Sequence, residues 1–391
     1  MKLVYVCDGV ASVYESQVLE LLRFLAKKTD VLLIQGFHSN KEKIILKEKL
    51  SKYPELKVAW VRTFGYYPFL MHRSYNSFLR VLKKIPFQDT VFHIRGELVG
   101  YIFKRMAREK YPSMKILIDI RGIVLEEIAY KLLYVHGFRK ILFKILQKYV
   151  SHVSHELFNG DNCQIYLTCV SSCMVDYIKH NYPNCNYTML VHPNIAGEQF
   201  SYSETKRKEI RRKFNIADDE LLAICSTGGN SVWQEDQLLI PYLIDAGIRV
   251  IHLSKKDFHI PGCITTTVPF QDMPAMLSAA DIGVLWRKKV FINESASPSK
   301  FSEFARMGLY IIHNGSVKNA IEYIKTNKSG CIIDEVFDFE KKLIPENLIE
   351  QRRNLCRKGL ETYGLTNIGN SYLRTYKHLI EESNKNDYEV I

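Results

Sequence analysis

The sequence predicts an α/β fold built from two successive doubly wound, Rossmann-like domains. Three observations lead there. Short runs rich in Val, Ile and Leu alternate with helix-period segments along the whole chain. Those runs are continuously apolar, which is the pattern of parallel strands covered on both faces. The alternation breaks at 192–203 (HPNIAGEQFSYS), where Pro193, Asn194 and Gly197 cluster, and then restarts. A length of 391 residues suits two such modules. Domains are therefore expected at 1–194 and 195–374, with a C-terminal tail at 375–391.

In the first half, strands are expected at 3–7, 31–36, 57–61, 90–94, 115–120, 164–168 and 188–191. Helices are expected between them at 12–28, 41–52, 77–85, 99–110, 124–134, 138–158 and 172–181. The second half gives strands at 221–226, 249–253, 265–268, 282–286, 310–314 and 330–334. Its helices are expected at 204–214, 233–246, 273–280, 299–308 and 318–326, then at 347–382 with an interruption near Gly364–Gly369. Sheets of this kind bind ligands beyond the C-terminal ends of their strands.

Composition narrows the class. The chain is 47% hydrophobic and 25% charged, with mean hydropathy −0.13, which excludes disorder, collagen-like repeats and a small disulfide scaffold. No apolar run is long enough for a spanning helix. MKLVYVCDGV reads as a first buried strand and not as a signal peptide, so a cytoplasmic location is expected. The nine cysteines sit mostly in apolar runs and match no paired zinc spacing, which fits a reducing compartment and no structural metal.

The net charge of +12 is uneven. Residues 1–200 hold 28 Lys and Arg against 17 acidic residues; residues 41–150 alone hold 23 against 9. A basic face on one half fits nucleic acid, anionic lipid or a phosphorylated substrate. The segment 138–150 (FRKILFKILQKYV) interleaves Arg139, Lys140, Lys144 and Lys148 with Ile141, Leu142, Phe143, Ile145 and Leu146. Such a helix rests on an anionic membrane or, alternatively, is a core helix with a basic outer face. Residues 69–85, with Met71, Arg73, Arg80, Lys83 and Lys84, extend the same basic region.

The sharpest local signal is the run Ala296-Ser-Pro-Ser-Lys-Phe-Ser-Glu303-Phe-Ala305, followed by Gly308. Pro298 presets a helix start, and Ser297 or Ser299 is expected to cap it. Free amides near Ser299–Phe301, with Lys300 beside them, make an anion site. Glu303, one turn in, suits ribose hydroxyls. A plain capped helix with a solvated Lys300–Glu303 pair is the other reading of this segment. His93, Arg95, Asp119 and Arg121 fall at the ends of two expected strands. His93 is read either as a cleft residue or as a satisfied core histidine, and Asp119 as a group that orients Arg121.

The stretch from Asp281 through Arg287 and Asn293 to Gly308 resembles the nucleotide-sugar segment of retaining glycosyltransferase family 4, of the two-domain GT-B type. One branch of that family carries a similar ASPxKFxEYLAxGLPVI block. Asp8-Gly9 with Ser16-Gln17-Val18, His93-Ile-Arg95-Gly96, Asp119-Ile-Arg121-Gly122, Val191-His-Pro-Asn194 and Ser226-Thr-Gly-Gly229 with Trp233-Gln234 are similar to further motifs of the branch, in the same order. The resemblance implies two facing domains and a tail returning to the first. It implies a nucleotide diphosphate sugar held by Gly9, Gly228, Gly229, Arg287, Ser299, Lys300, Phe301 and Glu303. It implies catalytic roles for His93, Asp119, Arg121 and Lys300, with Arg95 on the acceptor side. Transfer to a lipid-linked or oligosaccharide acceptor follows, in polysaccharide synthesis at the cytoplasmic face of the inner membrane. Arg139, Lys140, Phe143, Lys144 and Lys148 would face that membrane.

Where many relatives carry a glutamate eight residues before Glu303, this chain has Ser295, with Glu294 one position off. The Arg and Lys that many members carry after Gly229 are replaced by NSVWQED. Those departures keep a second reading open, a catalytically silent binding or scaffold protein of the same fold. No Asp-x-Asp occurs anywhere, so no metal cofactor is expected, and cations with helix amides must carry the developing diphosphate charge. Phosphate-loop and dinucleotide fingerprints are also missing, as is any nucleic-acid-binding module.

Overall fold

A computed structural model describes residues 1–10, 13–65, 68–161, 163–226 and 233–388. The chain divides into two compact units, residues 1–193 with 369–391, and residues 194–368.

The first unit is built on a parallel sheet of β1 (Lys2–Asp8), β2 (Asp30–Phe37), β3 (Lys57–Arg62), β4 (Thr90–Arg95), β5 (Lys115–Ile120), β6 (Ile165–Cys169) and β7 (Thr188–Val191). Their order is β3-β2-β1-β4-β5-β6-β7. Leu3, Val4, Tyr5 and Val6 are all fully buried, as a strand covered on both faces requires. The strand order reverses between β1 and β4, so the crevice beyond their C-terminal ends is the expected ligand position. Asp8 and Arg95 end β1 and β4, and Asp119 is the last residue but one of β5, at that place or next to it.

The second unit holds β8 (Leu222–Ser226), β9 (Arg249–Leu253), β10 (Cys263–Thr266), β11 (Ile282–Leu285), β12 (Tyr310–His313) and β13 (Gly330–Ile332), in the order β10-β9-β8-β11-β12-β13 and again parallel. Apolar clusters cover both faces. One gathers Leu277, Phe301, Phe304 and Ile311, the other Leu239, Leu243, Val284 and Ile312. The order reverses between β8 and β11, which places the segments after those strands, and the helix Ser299–Arg306 before β12, at the second crevice.

Part of the basic charge is internal. Arg207 and Arg211, on the helix Glu204–Lys213, reach the buried Asp281 at 2.8 and 2.6 Å. Both also donate to the carbonyl of Ala279, the last residue of the helix Met273–Ala279. Arg352 donates to the carbonyls of Leu277, Ala280 and Met307. Guanidinium groups at a helix C-terminus satisfy orphan carbonyls that nothing else reaches. In the first unit Lys104 is buried and donates to the carbonyls of Glu156 and Leu157.

Several elements differ from the sequence reading. The helix expected at 77–85 begins at Pro68, because proline is accommodated in a first helical turn. The segment expected as one helix at 12–28 carries a π turn, Glu15–Leu19, ahead of the α-helix Glu20–Ala26. The helix expected at 233–246 is cut to a 3₁₀ turn, Asp236–Leu238, and the helix Ile240–Asp245. There the Asp236 carboxylate accepts from Trp286 N at 2.7 Å, and Pro241 sets the later start. The strand expected at 265–268 is Cys263–Thr266, in register with Val250–Leu253. The C-terminal helical segment breaks at Gly364, between Leu348–Tyr363 and Leu365–Tyr388. Its residues from 369 onward count with the first unit.

Candidate functional site

In the second unit the chain leaves β11 through Trp286 and Arg287, makes the short helix Phe291–Glu294 and enters Ser299–Arg306 after Pro298. Two asparagines brace this path. Buried Asn293 donates to Trp233 O and Lys288 O, at 3.2 and 2.8 Å. Asn314 accepts from Arg287 N and donates to Arg287 O. His313 spans Leu285 O at 2.7 Å and Val317 N at 3.1 Å, which fixes a neutral ring with Nδ1–H donating and Nε2 accepting. Burial pushes its pKa down to about 4.

The helix Ser299–Arg306 has no side-chain cap. This corrects the expected Ser cap. Ser297 Oγ accepts instead from Asn194 N at 3.0 Å, and the Ser302 hydroxyl turns back to Ser299 O at 2.8 Å. Phe301 N and Ser302 N both use Pro298 O. The amides of Ser299 and Lys300 have no acceptor among the described residues. Two amides at the positive end of the helix are thus left for a ligand.

Lys300 Nζ stands 2.9 Å from Glu303 Oε2. Glu303 is only 2% exposed, so the solvated-pair reading of the sequence does not hold. Burial raises the Glu303 pKa, and the Lys300 ammonium opposes that rise. Arg287 donates to Asn293 Oδ1 at 3.3 Å, and burial lowers its pKa. Phe301 needs correction as a binding residue: its ring lies edge-on to Tyr323 and Tyr363 inside the core, and its amide is used. Gly228 and Gly229 lie outside the described residues.

In the first unit Gly9 follows β1 with φ +71°, a conformation that favours glycine. Its loop is held from below. Gln35 Nε2 donates to Gly9 O and Gly36 O, and the Glu42 carboxylate accepts from Val10 N and His38 N. At the ends of β4 and β5, Asp119 Oδ2 accepts from two guanidinium groups, with the His93 ring just beyond hydrogen-bond reach. Arg121 Nε is at 2.6 Å, Arg95 Nη1 at 3.4 Å and His93 Nε2 at 3.6 Å. Burial raises the Asp119 carboxyl, but the Arg121 guanidinium beside it wins and holds it well below the usual range.

His93 and Asp119 are expected among the catalytic groups, yet both are fully buried, so neither is open to a substrate in this structure. Burial lowers the His93 pKa, which keeps the ring neutral. The side chains of Arg121 and Arg95 are 15% and 10% exposed, and they are what this cluster presents. Sequence reasoning missed its other half. Tyr376 OH is 2.7 Å from His93 Nδ1, and Tyr372 OH accepts from Arg121 Nη2 at 3.2 Å. His192 bonds Thr168 and Ser371 and stacks on the Tyr372 ring.

The helix Gly137–Phe158 buries only its second half, through Val150, Val153, Ser154, Leu157 and Phe158. Its first half carries Phe138, Ile141, Leu142 and Ile145 at 72%, 55%, 45% and 54% exposure, with Leu133 and Tyr134 exposed just before it. Arg139, Lys140, Lys144 and Lys148 are exposed around them, and Phe143 is half-buried. These apolar residues are therefore not core, against the alternative reading of this helix. No helix among the described residues is long and apolar enough to cross a membrane.

Neither a family model nor a curated protein sequence matches the chain. Solved structures do match it. Sucrose-phosphate synthase from Thermosynechococcus elongatus is 10% identical, with TM-score 0.67 over 98% of this chain and 100% of its own. A glycosyltransferase from Rickettsia africae is 11% identical, with TM-score 0.67 over 97% of this chain and 98% of its own. Anabaena HepE in complex with UDP and glucose is 10% identical, with TM-score 0.67 over 97% and 100%. At these identities the likeness is one of fold, and the fold is GT-B.

Proposed function

We propose that this chain is a glycosyltransferase that moves a sugar from a nucleotide diphosphate sugar to a carbohydrate acceptor. The observation that carries the reading is the uncapped start of the helix Ser299–Arg306, with two unused amides beside the pair of Lys300 and the buried Glu303. Similar folds support it, HepE being described with UDP-glucose. In this reading the Ser299 and Lys300 amides and the Lys300 ammonium hold the diphosphate, Glu303 accepts from the ribose hydroxyls, and Arg287 supports the loop behind them.

In transfer the anomeric C–O bond to the diphosphate breaks and the electron pair leaves with the diphosphate. The acceptor hydroxyl forms the new C–O bond, and its proton passes to the departing diphosphate oxygen. Helix amides and the Lys300 ammonium stabilise the departing charge, so the reaction is metal-independent in this reading. Retention of configuration follows the resemblance to family 4. Arg95 and Arg121 face the acceptor. The acceptor is lipid-linked, and the exposed apolar stripe of Gly137–Phe158 with its basic rim seats the enzyme on an anionic membrane, as in synthesis of capsule or lipopolysaccharide.

A catalytically silent reading is favoured by one observation. Glu294 pairs with Lys318 at 3.4 Å on the surface, and Ser295 is buried, so no second glutamate joins Glu303. Calorimetric titration with UDP, GDP and their sugars, followed by product analysis, decides between the readings. Glu303→Ala should weaken nucleotide binding about 10- to 150-fold, the loss of hydrogen bonds worth roughly 1.5–3 kcal/mol to a charged group. Unchanged affinity in both Glu303→Ala and Lys300→Ala refutes the site; binding without transfer supports the silent reading.

A further inference from the structure

We propose that Tyr372 and Tyr376, on the helix Leu365–Tyr388, are positioning residues that hold Arg121 in its working orientation, Tyr372 directly and Tyr376 through His93 and Asp119. What Arg121 does rests on the transferase reading; how it is held does not.

The two tyrosines are buried, at 1% and 0% exposure, and each aims its hydroxyl at one member of the strand-end cluster. Packing alone needs only the rings. The contact between Tyr376 and His93 joins residues 283 positions apart.

The His93 ring lies between Tyr5, at 4.4 Å between ring centres, and Tyr372, at 5.3 Å. A neutral imidazole carries one N–H. If that proton sits on Nδ1, the Nε2 lone pair faces the Asp119 carboxylate at 3.6 Å and is repelled. If Tyr376 OH donates to Nδ1, the proton sits on Nε2 and attracts Asp119 Oδ2. Asp119 therefore favours the Nε2–H tautomer, and the Tyr376 hydroxyl, donating to Nδ1, satisfies the ring's other nitrogen and holds the ring against the carboxylate. That same Oδ2 receives Arg121 Nε at 2.6 Å.

Tyr372 completes the hold. Its hydroxyl accepts from Arg121 Nη2 at 3.2 Å, so two bonds on two nitrogens fix the plane of one guanidinium. The Tyr372 ring is itself stacked on His192, 4.1 Å away and tilted by 18°. His192 is pinned by Thr168 Oγ1 at 2.7 Å and by Ser371 Oγ at 3.1 Å. Each link is buried, and each would fail if the hydroxyl beside it were removed.

The test uses full-length protein with nitrogen-15-labelled histidine, its His93 signals assigned by their loss in His93→Gln. Wild type should show His93 as the Nε2–H tautomer with Nδ1 accepting a hydrogen bond. Tyr376→Phe should remove the hydrogen bond at Nδ1 and shift that nitrogen's signal. Tyr372→Phe should leave the tautomer in place. Both should lower kcat of transfer or of donor hydrolysis about tenfold, with donor KM within about twofold of wild type and a melting temperature lower by only a few degrees. An Nδ1–H tautomer in wild type overturns the proposal, as does full kcat in both variants. If wild type neither transfers nor hydrolyses any nucleotide sugar, the transferase reading falls, while the histidine signals still decide how Arg121 is held.

Discussion

Glu97→Gln should make the first unit more stable at alkaline pH and leave it nearly unchanged at acid pH. Glu97 is 1% exposed, at the start of the helix Glu97–Glu109. Its carboxyl accepts from Val124 N at 3.1 Å and from Ser154 Oγ at 3.2 Å. Burial outweighs those two bonds and raises its pKa to about 7. A raised carboxyl pKa means that the folded state binds the proton more tightly than the unfolded state. The resulting stability is complete below the unfolded value of about 4.5 and is lost as pH rises through about 7. With those two values, linkage gives a loss of about 2.5 kcal/mol between pH 5 and pH 8. Glutamine keeps the acceptor for Val124 N, can donate to Ser154 Oγ, and does not ionise. The gap between Glu97→Gln and wild type should therefore grow by about 2.5 kcal/mol over that range. For a domain of this size that is roughly 5–10 °C in melting temperature. Thermal unfolding of both proteins at pH 5, 6, 7 and 8 reads it directly. A gap that stays flat with pH refutes the argument. Because Glu97 follows Arg95 by two residues and its Val124 bond lies just past Arg121, activity should decline over the same range in wild type more than in the variant.

Three further outcomes follow from named contacts. Asp281→Asn removes the charge between Arg207 and Arg211, and should cost about 3–5 kcal/mol of second-unit stability; a fall in melting temperature below about 5 °C would count against it. Gly308→Ala should destabilise by more than about 1 kcal/mol, since Gly308 has φ +67° and an added Cβ would lie 2.6 Å from Arg352 O; urea midpoints measure this. The triple change Phe138→Ser, Ile141→Ser and Ile145→Ser should abolish sedimentation with vesicles containing anionic lipid. Lys140→Gln with Lys144→Gln should weaken it by about 1 kcal/mol per charge in low salt. Equal binding to neutral and anionic vesicles would sink the charged-surface reading. A concentration-dependent dimer lost in the triple variant would assign the stripe to a second copy of the chain.

Inner strands such as β1 and β8 were legible because a strand covered on both faces is almost continuously apolar, a pattern no helix of ordinary amphipathicity shares. The errors lie where one side chain overrules the local pattern. Asp236 spends its carboxylate on Trp286 N, and Pro241 then resets the helix start. At the site, the start of Ser299–Arg306 was readable because proline, small polar residues, Lys300 and Glu303 are neighbours in sequence. Tyr372 and Tyr376 were not, since spacing by four on a helix is also the mark of an ordinary core stripe. Only the fold brings their hydroxyls to His93 and Arg121. The helix Gly137–Phe158 shows the same limit from the other side. One apolar periodicity runs through it, but its second half is covered and its first half is not. Periodicity reports which face is apolar; cover is a property of what packs there. Under the proposed function, the uncovered apolar half-helix rimmed by lysine and arginine would be covered by a partner that is apolar within and negative at its surface. A bilayer bearing anionic lipid has both properties.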